Sequence, residues 1–284
     1  LHTAYRRQRQ MCIRDRTYSD APGIAWQIER VRTGESDALW LATPHEDAVH
    51  LVKKLGLLPE QVYDMYAQRY LTAIDDTTGI WWTDFPVPAD AQFLIYSDWT
   101  KHIVSHGYDR ARVRWFNDAQ RFVQAVIWLD LAGKIDYKEI YQRNGALFAK
   151  QYFSAGELQQ SDFYFGKQTV QVRDFYFEGH RNFVYAYDQK YASAASYLAA
   201  VCHRWPQTQF NVTQLDRTLA FVPKQTTLTL IDGVLDAKGR LRAQLADILR
   251  DDTHPVTTIR VSEQDYQALQ VLGLPLQKVQ VVTI

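Results

Sequence analysis

The residues best suited to chemistry in this 284-residue chain are its eight histidines. His45 and His50 are five positions apart, so they cannot share one helical face as zinc ligands at i and i+4 do. His102 and His106 bracket a predicted turn and have no third ligand near them in the sequence. We therefore predict no metal site.

Paired carboxylates are the next candidates, because Asp75 and Asp76 precede Trp81 and Trp82 in a combination that could hold a glycan. The two acids of a glycosidase more often come from separate strands than from adjacent positions. We interpret the two aspartates as a turn or helix cap. The sequence contains no GxSxG, GxxxxGK or GxGxxG motif. No catalytic residue and no cofactor are predicted.

The first sixteen residues differ from the rest of the chain, with five arginines against the single acidic residue Asp15. A basic arm for nucleic acid or an anionic membrane is one interpretation. The run also resembles translated sequencing-adapter sequence, so we treat 1–16 as a non-native leader and exclude it from fold prediction. Without these residues, 27 basic and 31 acidic residues remain, a net charge of −4. That balance gives no electrostatic reason to expect nucleic-acid binding.

Composition indicates a folded globular protein, with 46% hydrophobic and 23% charged residues. No apolar run reaches the 18 residues of a membrane span. Outside the leader Cys202 is the one cysteine, which excludes a disulfide framework and favours a reducing, cytoplasmic location.

Between Phe93 and Asp188 the chain repeats a short aromatic stretch followed by a turn, and it places 22 of its 38 aromatic residues there. Glycines at 133, 145, 156, 166 and 179 recur every 10 to 13 residues, the spacing of a strand plus a tight turn. This pattern predicts an antiparallel β-meander. The predicted strands are 92–97, 101–105, 110–116, 122–130, 135–141, 147–153, 158–165, 169–177 and 182–187.

The flanking regions are α/β in character. Before the meander we predict helices at 24–33, 47–55 and 60–71 and a strand at 39–42. After it we predict helices at 191–205, 241–249 and 263–272 and strands at 228–231, 256–261 and 279–284. The expected domains are a partial α/β region at 17–88, an extended antiparallel sheet at 89–190, and an α/β half-domain at 191–284. The chain ends directly after a strand pattern, so we expect a fragment truncated at its C-terminus.

Aromatic residues fall on both faces of the predicted strands, and their number exceeds what a single hydrophobic core needs. Cross-strand aromatic pairing is the simpler explanation. The alternative is an open face that binds an extended chain, a glycan or a partner protein.

The order of segments resembles the non-catalytic, glycosyltransferase-like component of the Asp complex of the accessory Sec system. Asp20, Gln27-Ile28 and Arg30 are similar to the start of that family. Leu39-Trp40-Leu41, Pro44 and the run 53–58 (KKLGLL) are similar to its next segments, and 92–96 (QFLIY) to its aromatic strand. The run 126–130 (VIWLD), followed by Gly133, is similar to a sister family, the glycosylation chaperone subunit of the adhesin glycosyltransferase.

The resemblance implies a fold with partial glycosyltransferase-B-like (Rossmann-like) lobes and an inserted sheet, without a working catalytic centre. It implies a cytoplasmic, non-enzymatic role in exporting glycosylated serine-rich repeat adhesins, with peripheral attachment at the inner face of the membrane as a further expectation. The implied partners are other Asp-complex subunits, the adhesin and the accessory Sec motor ATPase. The candidate contact residues on the sheet are Trp115, Trp128, Tyr137, Tyr141, Tyr152, Tyr164 and Tyr176.

Two other functions remain open. The chain could be part of a glycosyltransferase, or of its chaperone subunit, that modifies the adhesin. Retaining members carry a Glu-x₇-Glu pair near the donor site, and no glutamate of this sequence has a partner at that spacing. The third alternative is a scaffold whose sheet mediates assembly alone.

Overall fold

The computed structural model describes residues 8–12, 21–117 and 121–283, with the backbone alone described at 8–12. The helices are α1 Pro22–Arg32, α2 Ala48–Lys54, α3 Ala194–His203, α4 Leu245–Arg250 and α5 Glu263–Val271. The first nine strands are β1 Gln8–Cys12, β2 Ala38–Leu41, β3 Val62–Asp64, β4 Arg69–Tyr70, β5 Gln92–Ile95, β6 Lys101–Ser105, β7 Tyr108–Trp115, β8 Val123–Leu129 and β9 Ile135–Tyr141. The other nine are β10 Leu147–Ser154, β11 Glu157–Phe163, β12 Val172–Phe177, β13 His180–Ala186, β14 Gln189–Tyr191, β15 Gln209–Val212, β16 Thr226–Thr229, β17 Val256–Val261 and β18 Val279–Val281.

Two compact units divide the chain. The first lies within Leu1–Pro44, His50–Leu71 and Leu198–Ile284, and the second within His45–Val49 and Thr72–Tyr197. Asp20 and four of the five leader arginines lie outside the described residues.

The first unit is built on one eight-stranded sheet in the order β18-β17-β16-β15-β1-β2-β3-β4. Its neighbours pair in parallel, except that β4 runs antiparallel to β3. Strands from both ends of the chain therefore share one sheet. The α/β regions predicted at 17–88 and 191–284 thus contribute strands to the same sheet, which sequence order alone does not reveal.

Five residues of the leader segment, which was left out of the fold prediction, form strand β1. The backbone of β1 pairs in parallel with both β15 and β2, at the centre of the sheet. Its sequence, QRQMC, lacks the continuous apolar run that marks a strand covered on both faces.

The structure corrects the prediction of a helix at residues 60–71. The chain forms a single 3-10 turn at Pro59–Gln61 and then enters β3, whose three residues are all buried. Val62 pairs with Leu39 of β2. Burial in the sheet overrides the weak helical pattern, since a β-branched and an aromatic residue fit a parallel strand.

The second unit contains a ten-stranded sheet in which every strand is antiparallel to the next one along the chain, from β5 to β14. The nine predicted strands are all present, and the short strand β14 is an addition. The β9–β10 hairpin turns at Asn144-Gly145, where Gly145 has φ 79° and the Asn144 side chain accepts a hydrogen bond from the Ala146 N–H. The turn chemistry in the sequence thus identified the hairpin correctly.

The buried side of this sheet changes between β9 and β10. On β7 to β9 the buried face carries Ala111, Val113, Val126 and Tyr141, which pack with Phe85 from the preceding segment. On β10 to β13 the opposite face is buried, as shown by the exposed fractions of Ala149, Ser161, Val172, Asp174, Val184 and Ala186, none above 2%. From β10 onward the first face is partly exposed, as at Tyr152 and Tyr185, while Asp162 on the same face is buried.

The short segment His45–Val49 is held to this sheet by a buried ion pair. Arg143 Nε donates to Asp47 Oδ1 at 2.6 Å, and Arg143 Nη2 donates to Asp47 Oδ2 at 2.9 Å. The guanidinium also lies 4.8 Å from the centre of the Phe116 ring. Such a bidentate contact fixes both partners in orientation as well as distance.

Candidate binding face on the antiparallel sheet

A row of large side chains crosses the middle of the second unit's sheet. Trp128 pairs with Tyr137, Tyr137 with Tyr152, Tyr152 with Gln160, and Gln160 with Phe175. Directly opposed residues of antiparallel strands project to the same face. The rings of Trp128 and Tyr137 stack with their centres 5.8 Å apart. Four of the five side chains in the row are aromatic.

A charged row runs beside the first, on the same face. Glu139 pairs with Lys150, Lys150 with Asp162, and Asp162 with Arg173. Lys150 Nζ lies 2.8 Å from Glu139 Oε1, and Arg173 Nε lies 2.7 Å from Asp162 Oδ1. We call Glu139, Lys150, Asp162 and Arg173 the charged row. Charges alternate along it, so neighbouring strands attract one another across the sheet.

Further aromatic residues extend this face toward its far edge. Arg173 pairs with Tyr185, and Tyr185 with Lys190 of the edge strand. Phe175 and Phe183 stack at 4.4 Å, and Lys190 Nζ lies 4.6 Å from the Phe183 ring centre. We define the aromatic face as Tyr137, Tyr152, Tyr164, Phe175, Phe183 and Tyr185. Its rings are partly exposed, reaching 37% for Tyr152 and 44% for Tyr185.

The surroundings of Tyr137 and Tyr152 keep their hydroxyls neutral. Partial burial raises the pKa of Tyr152, and the carboxylate of Asp162 raises it further. Burial and Glu139 raise the pKa of Tyr137 in the same way. Burial acts to lower the pKa of Lys150, but the hydrogen bond to Glu139 and the charge interactions with Glu139, Tyr152 and Tyr164 together outweigh it, and the pKa is raised. The face therefore presents neutral hydroxyls beside paired charges, which suits hydrogen bonding to a polar ligand.

Three of the seven predicted contact residues, Tyr137, Tyr152 and Tyr164, belong to the aromatic face. Tyr164 follows the end of β11, and its hydroxyl interacts electrostatically with Lys150, Tyr152 and Arg173. The structure thus brings together residues that the sequence places up to 27 positions apart.

Two predicted residues, Trp115 and Tyr141, lie at the covered end of the same face. Tyr141 is 8% exposed, and its ring centre is 5.6 Å from that of Phe85. Burial raises its pKa far above the usual value, and a hydrogen bond with Glu139 adds to the effect. Trp115 packs edge-on against Trp82, 5.7 Å between ring centres. Tyr141 is a core residue and offers no open surface.

The remaining two predicted residues have other surroundings. Trp128 is partly buried against the core below β7 to β9, and its Nε1 donates to Glu139 Oε2 at 2.9 Å. Tyr176 pairs with Arg181, whose Nη2 donates to the Tyr176 hydroxyl at 3.3 Å and whose Nε lies 3.1 Å from the fully buried Asp174. Arg181 contacts both Tyr176 and Asp174, and Asp174 lies on the buried face. Tyr176 therefore lies on the side of the sheet opposite the aromatic face.

Sequence reasoning missed Phe175, Phe183, Tyr185 and the charged row. The signal was present as alternation: Arg173 and Phe175 on β12, and Phe183 and Tyr185 on β13, are each two residues apart. Choosing the correct face required the register, which the sequence alone did not supply.

The histidines and aspartates considered for metal binding or catalysis each contact different residues. His102 Nδ1 lies 3.0 Å from Asp109 Oδ2, whereas His106 Nδ1 lies 3.4 Å from Asp90 Oδ2. Asp75 accepts hydrogen bonds from the N–H and hydroxyl of Thr77, as a turn residue does. Over residues 8–12, 21–117 and 121–283, no group of three or more His, Cys, Asp or Glu side chains is arranged to hold a metal ion.

The sheet is also the part of the chain that a family model matches. Residues 95–192 match the model of the GtfB middle domain. These limits run from the end of β5 to just beyond β14. A search of curated protein sequences finds no significant match.

Solved structures match over nearly the whole chain. A chain of the accessory secretory protein 1, 2 and 3 structure from Streptococcus pneumoniae has 17% identity and a TM-score of 0.69, over 97% of this chain and 61% of that one. A chain of the Glycosylation Associate Protein complex from Streptococcus agalactiae has 13% identity and a TM-score of 0.70, over 98% of this chain and 60% of that one. The pneumococcal O-GlcNAc transferase GtfA, in complex with UDP and GlcNAc, has 11% identity and a TM-score of 0.72, also over 98% of this chain and 60% of that one.

These comparisons confirm the resemblance drawn from the sequence and establish a glycosyltransferase-like fold. At identities of 11–17% they show the fold alone. The chain spans about three fifths of the length of the proteins it matches. In the described part of the chain, none of the helices combines the length and apolar character that a membrane crossing needs.

Proposed function

We propose that the chain is a non-enzymatic component of a system that exports or glycosylates serine-rich adhesins, and that it binds the adhesin chain through the aromatic face. The observation that carries this proposal is the partly exposed face of β10 to β13, where aromatic rings lie beside the charged row. Aromatic rings contribute large contact area at small entropic cost, and paired charges beside them supply hydrogen bonds.

A serine-rich chain suits such a face because it is extended, polar and flexible. It has few apolar side chains of its own, so a partner must bind it with rings and hydrogen-bonding groups instead of an apolar groove. The row from Trp128 to Phe175 crosses five strands and the charged row four, which supports contact with several residues of an extended chain at once. The similarity to accessory secretory proteins is consistent with this role.

The proposed partners are the other subunits of an Asp-type complex, the serine-rich adhesin and the accessory Sec motor ATPase. The proposed location is the cytoplasm, with peripheral attachment at the inner face of the membrane. The matched structures include complexes of several accessory proteins, which supports the subunit role.

The alternative is a glycosyltransferase, or its chaperone subunit, that modifies the same adhesin. The match of residues 95–192 to the GtfB middle domain and the fold shared with GtfA favour it. The two roles differ in what the whole protein does with a UDP-sugar, and they share the adhesin as substrate.

A titration with a fluorescent serine-rich peptide tests the proposal. We expect saturable binding to the purified chain, and no binding of a peptide of equal length and charge in which alanine replaces serine. Equal binding of both peptides, or of neither, would contradict the proposed adhesin recognition.

The alternative is tested by UDP-sugar hydrolysis, measured as UDP release by the full-length protein of the native gene. We expect none above the buffer rate. Turnover that increases with the serine-rich peptide would establish the glycosyltransferase instead.

A further inference from the structure

An open cavity of about 450 Å³ lies where β12 begins and β13 ends, at the edge of the aromatic face. Small-molecule sites commonly have volumes of roughly 300–1,000 Å³. The residues that line it and could contact a ligand are Thr169, Gln171, Arg173, Tyr185, Tyr187 and Asp188. None of them is among the contact residues predicted from the sequence.

The cavity combines exposed rings with unused hydrogen-bonding groups. Tyr185 is 44% and Tyr187 40% exposed. Gln171 Nε2 donates to the backbone and side-chain oxygens of Thr169, which leaves its Oε1 as an acceptor. Arg173 uses Nε and Nη2 for Asp162, so its Nη1 is available as a donor. The cavity thus offers both hydrogen-bonding roles next to aromatic surface.

Asp188 adds an unpaired carboxylate. It stands in the β13–β14 turn with φ 63°, and it makes no hydrogen bond or ion pair with another residue in the described ranges. Aspartate tolerates this left-handed conformation better than most residues do. The carboxylate is therefore free to accept hydrogen bonds from a ligand.

The charges around the cavity select against anions. The guanidinium of Arg173 is neutralised by Asp162, while Asp188 has no counter-charge in direct contact. A phosphate or carboxylate ligand would be repelled by Asp188 without gaining a free cation. A neutral ligand with several hydroxyls meets no such penalty.

We propose that this cavity binds the pyranose ring of a neutral saccharide. The apolar face of the sugar packs against Tyr185 or Tyr187, and its hydroxyls donate to Asp188 and Gln171 Oε1 and accept from Arg173. As a site for the sugars of a glycosylated adhesin the cavity rests on the proposed function, whereas saccharide binding itself rests on the geometry of these residues.

Saturation-transfer NMR with methyl glycosides of glucose and of N-acetylglucosamine tests the proposal. A lone sugar is held weakly, so the titration extends to about 50 mM, where a site with Kd on the order of 10 mM is mostly filled. We expect saturable binding of at least one glycoside and weaker binding of glucose 6-phosphate, because its anion faces Asp188.

Two variants test whether the sugar binds in this cavity. Tyr187→Ala should weaken binding about tenfold, and Asp188→Asn should remove the discrimination against glucose 6-phosphate. Phe177→Ala is the matched control, since Phe177 is 64% exposed at the opposite end of the same two strands and should have no effect. Thermal unfolding of each variant confirms that it is folded.

The proposal is overturned if no neutral glycoside binds, if both variants bind like the wild type, or if glucose 6-phosphate binds more tightly than the neutral sugars. Failure here is distinct from failure of the proposed function. Binding of the unglycosylated serine-rich peptide without sugar binding would remove the saccharide site and leave peptide recognition intact. Sugar binding without peptide binding would remove peptide recognition and leave the saccharide site intact.

Discussion

Arg143 and Asp47 form a bidentate ion pair within the second unit, with side chains that are 4% and 10% exposed. Ninety-six positions separate them in the sequence. The pair joins the short segment at 45–49 to the turn between β9 and β10. No local pattern in the sequence predicted it.

Removing one member of this pair should destabilise the protein strongly. Asp47→Ala leaves the guanidinium buried without its carboxylate, and loss of one partner of a buried pair costs about 3–5 kcal/mol. Urea unfolding followed by tryptophan fluorescence measures the free energy of unfolding. Arg240→Ala is the control, because the Arg240–Asp236 pair is largely exposed and should contribute little to the free energy of unfolding. Equal losses in the two variants would contradict the structural role of Arg143.

Tyr141 and Tyr152 should respond differently to truncation, although both were predicted as contact residues. Tyr141→Ala leaves a cavity beside Phe85 and should cost about 3–5 kcal/mol of unfolding free energy, as for other buried aromatic residues. Tyr152→Ala removes a ring that is 37% exposed and should cost less than about 1.5 kcal/mol. The same urea experiment measures both. A larger loss for Tyr152 would mean that the covered and exposed ends of this face have been assigned the wrong way round.

Asp64 should make the stability of the first unit pH-dependent. Burial raises its pKa from 3.8 to about 6, against the opposing hydrogen bonds from the Ala67 and Tyr66 N–H groups. The folded protein therefore keeps a proton that the unfolded chain releases above about pH 4, so stability falls as pH rises toward about 6. Asp64→Asn keeps the Oδ1 acceptor and cannot ionise. It should exceed the wild type in unfolding free energy at pH 7 by on the order of 2 kcal/mol, and match it near pH 4.

Asp251 provides the matched control for that prediction. It accepts the same kind of hydrogen bonds, from the hydroxyl and N–H of Thr253, but on the surface. These bonds lower its pKa, so its contribution to stability is present at neutral pH and lost as pH falls. Asp251→Asn should therefore shift stability in the opposite direction from Asp64→Asn at pH 7. A shift of the same sign in both would argue against burial as the cause at Asp64.

The antiparallel sheet could be predicted from the sequence because its signals are local. Each hairpin has its own turn residues, and the limits of β6, at 101–105, and β9, at 135–141, were predicted without error. The parallel sheet could not be predicted as fully, since its order depends on contacts between distant segments. The pairing of β1 with β15 joins residues about 200 positions apart, which no local pattern encodes.

The candidate site could be predicted only in part for a related reason. Aromatic composition identified the sheet, and Tyr137, Tyr152 and Tyr164 lie on one face as a contact surface requires. Which end of that face is covered depends on the packing of Phe85 and Trp82 from an irregular segment. Tyr141 was therefore predicted as a contact residue although it belongs to the core.

The most direct measurement is the affinity of the serine-rich peptide for the Tyr137→Ala/Tyr152→Ala variant, beside the wild type and a variant altered on the other face. Both rings lie in the row that crosses β8 to β12, so removing them should weaken binding at least tenfold. Arg112→Ala/Arg114→Ala, on the opposite side of β7, should leave the affinity within about twofold. Unchanged affinity in the first variant, with its fold intact, would show that the aromatic face does not bind the adhesin chain.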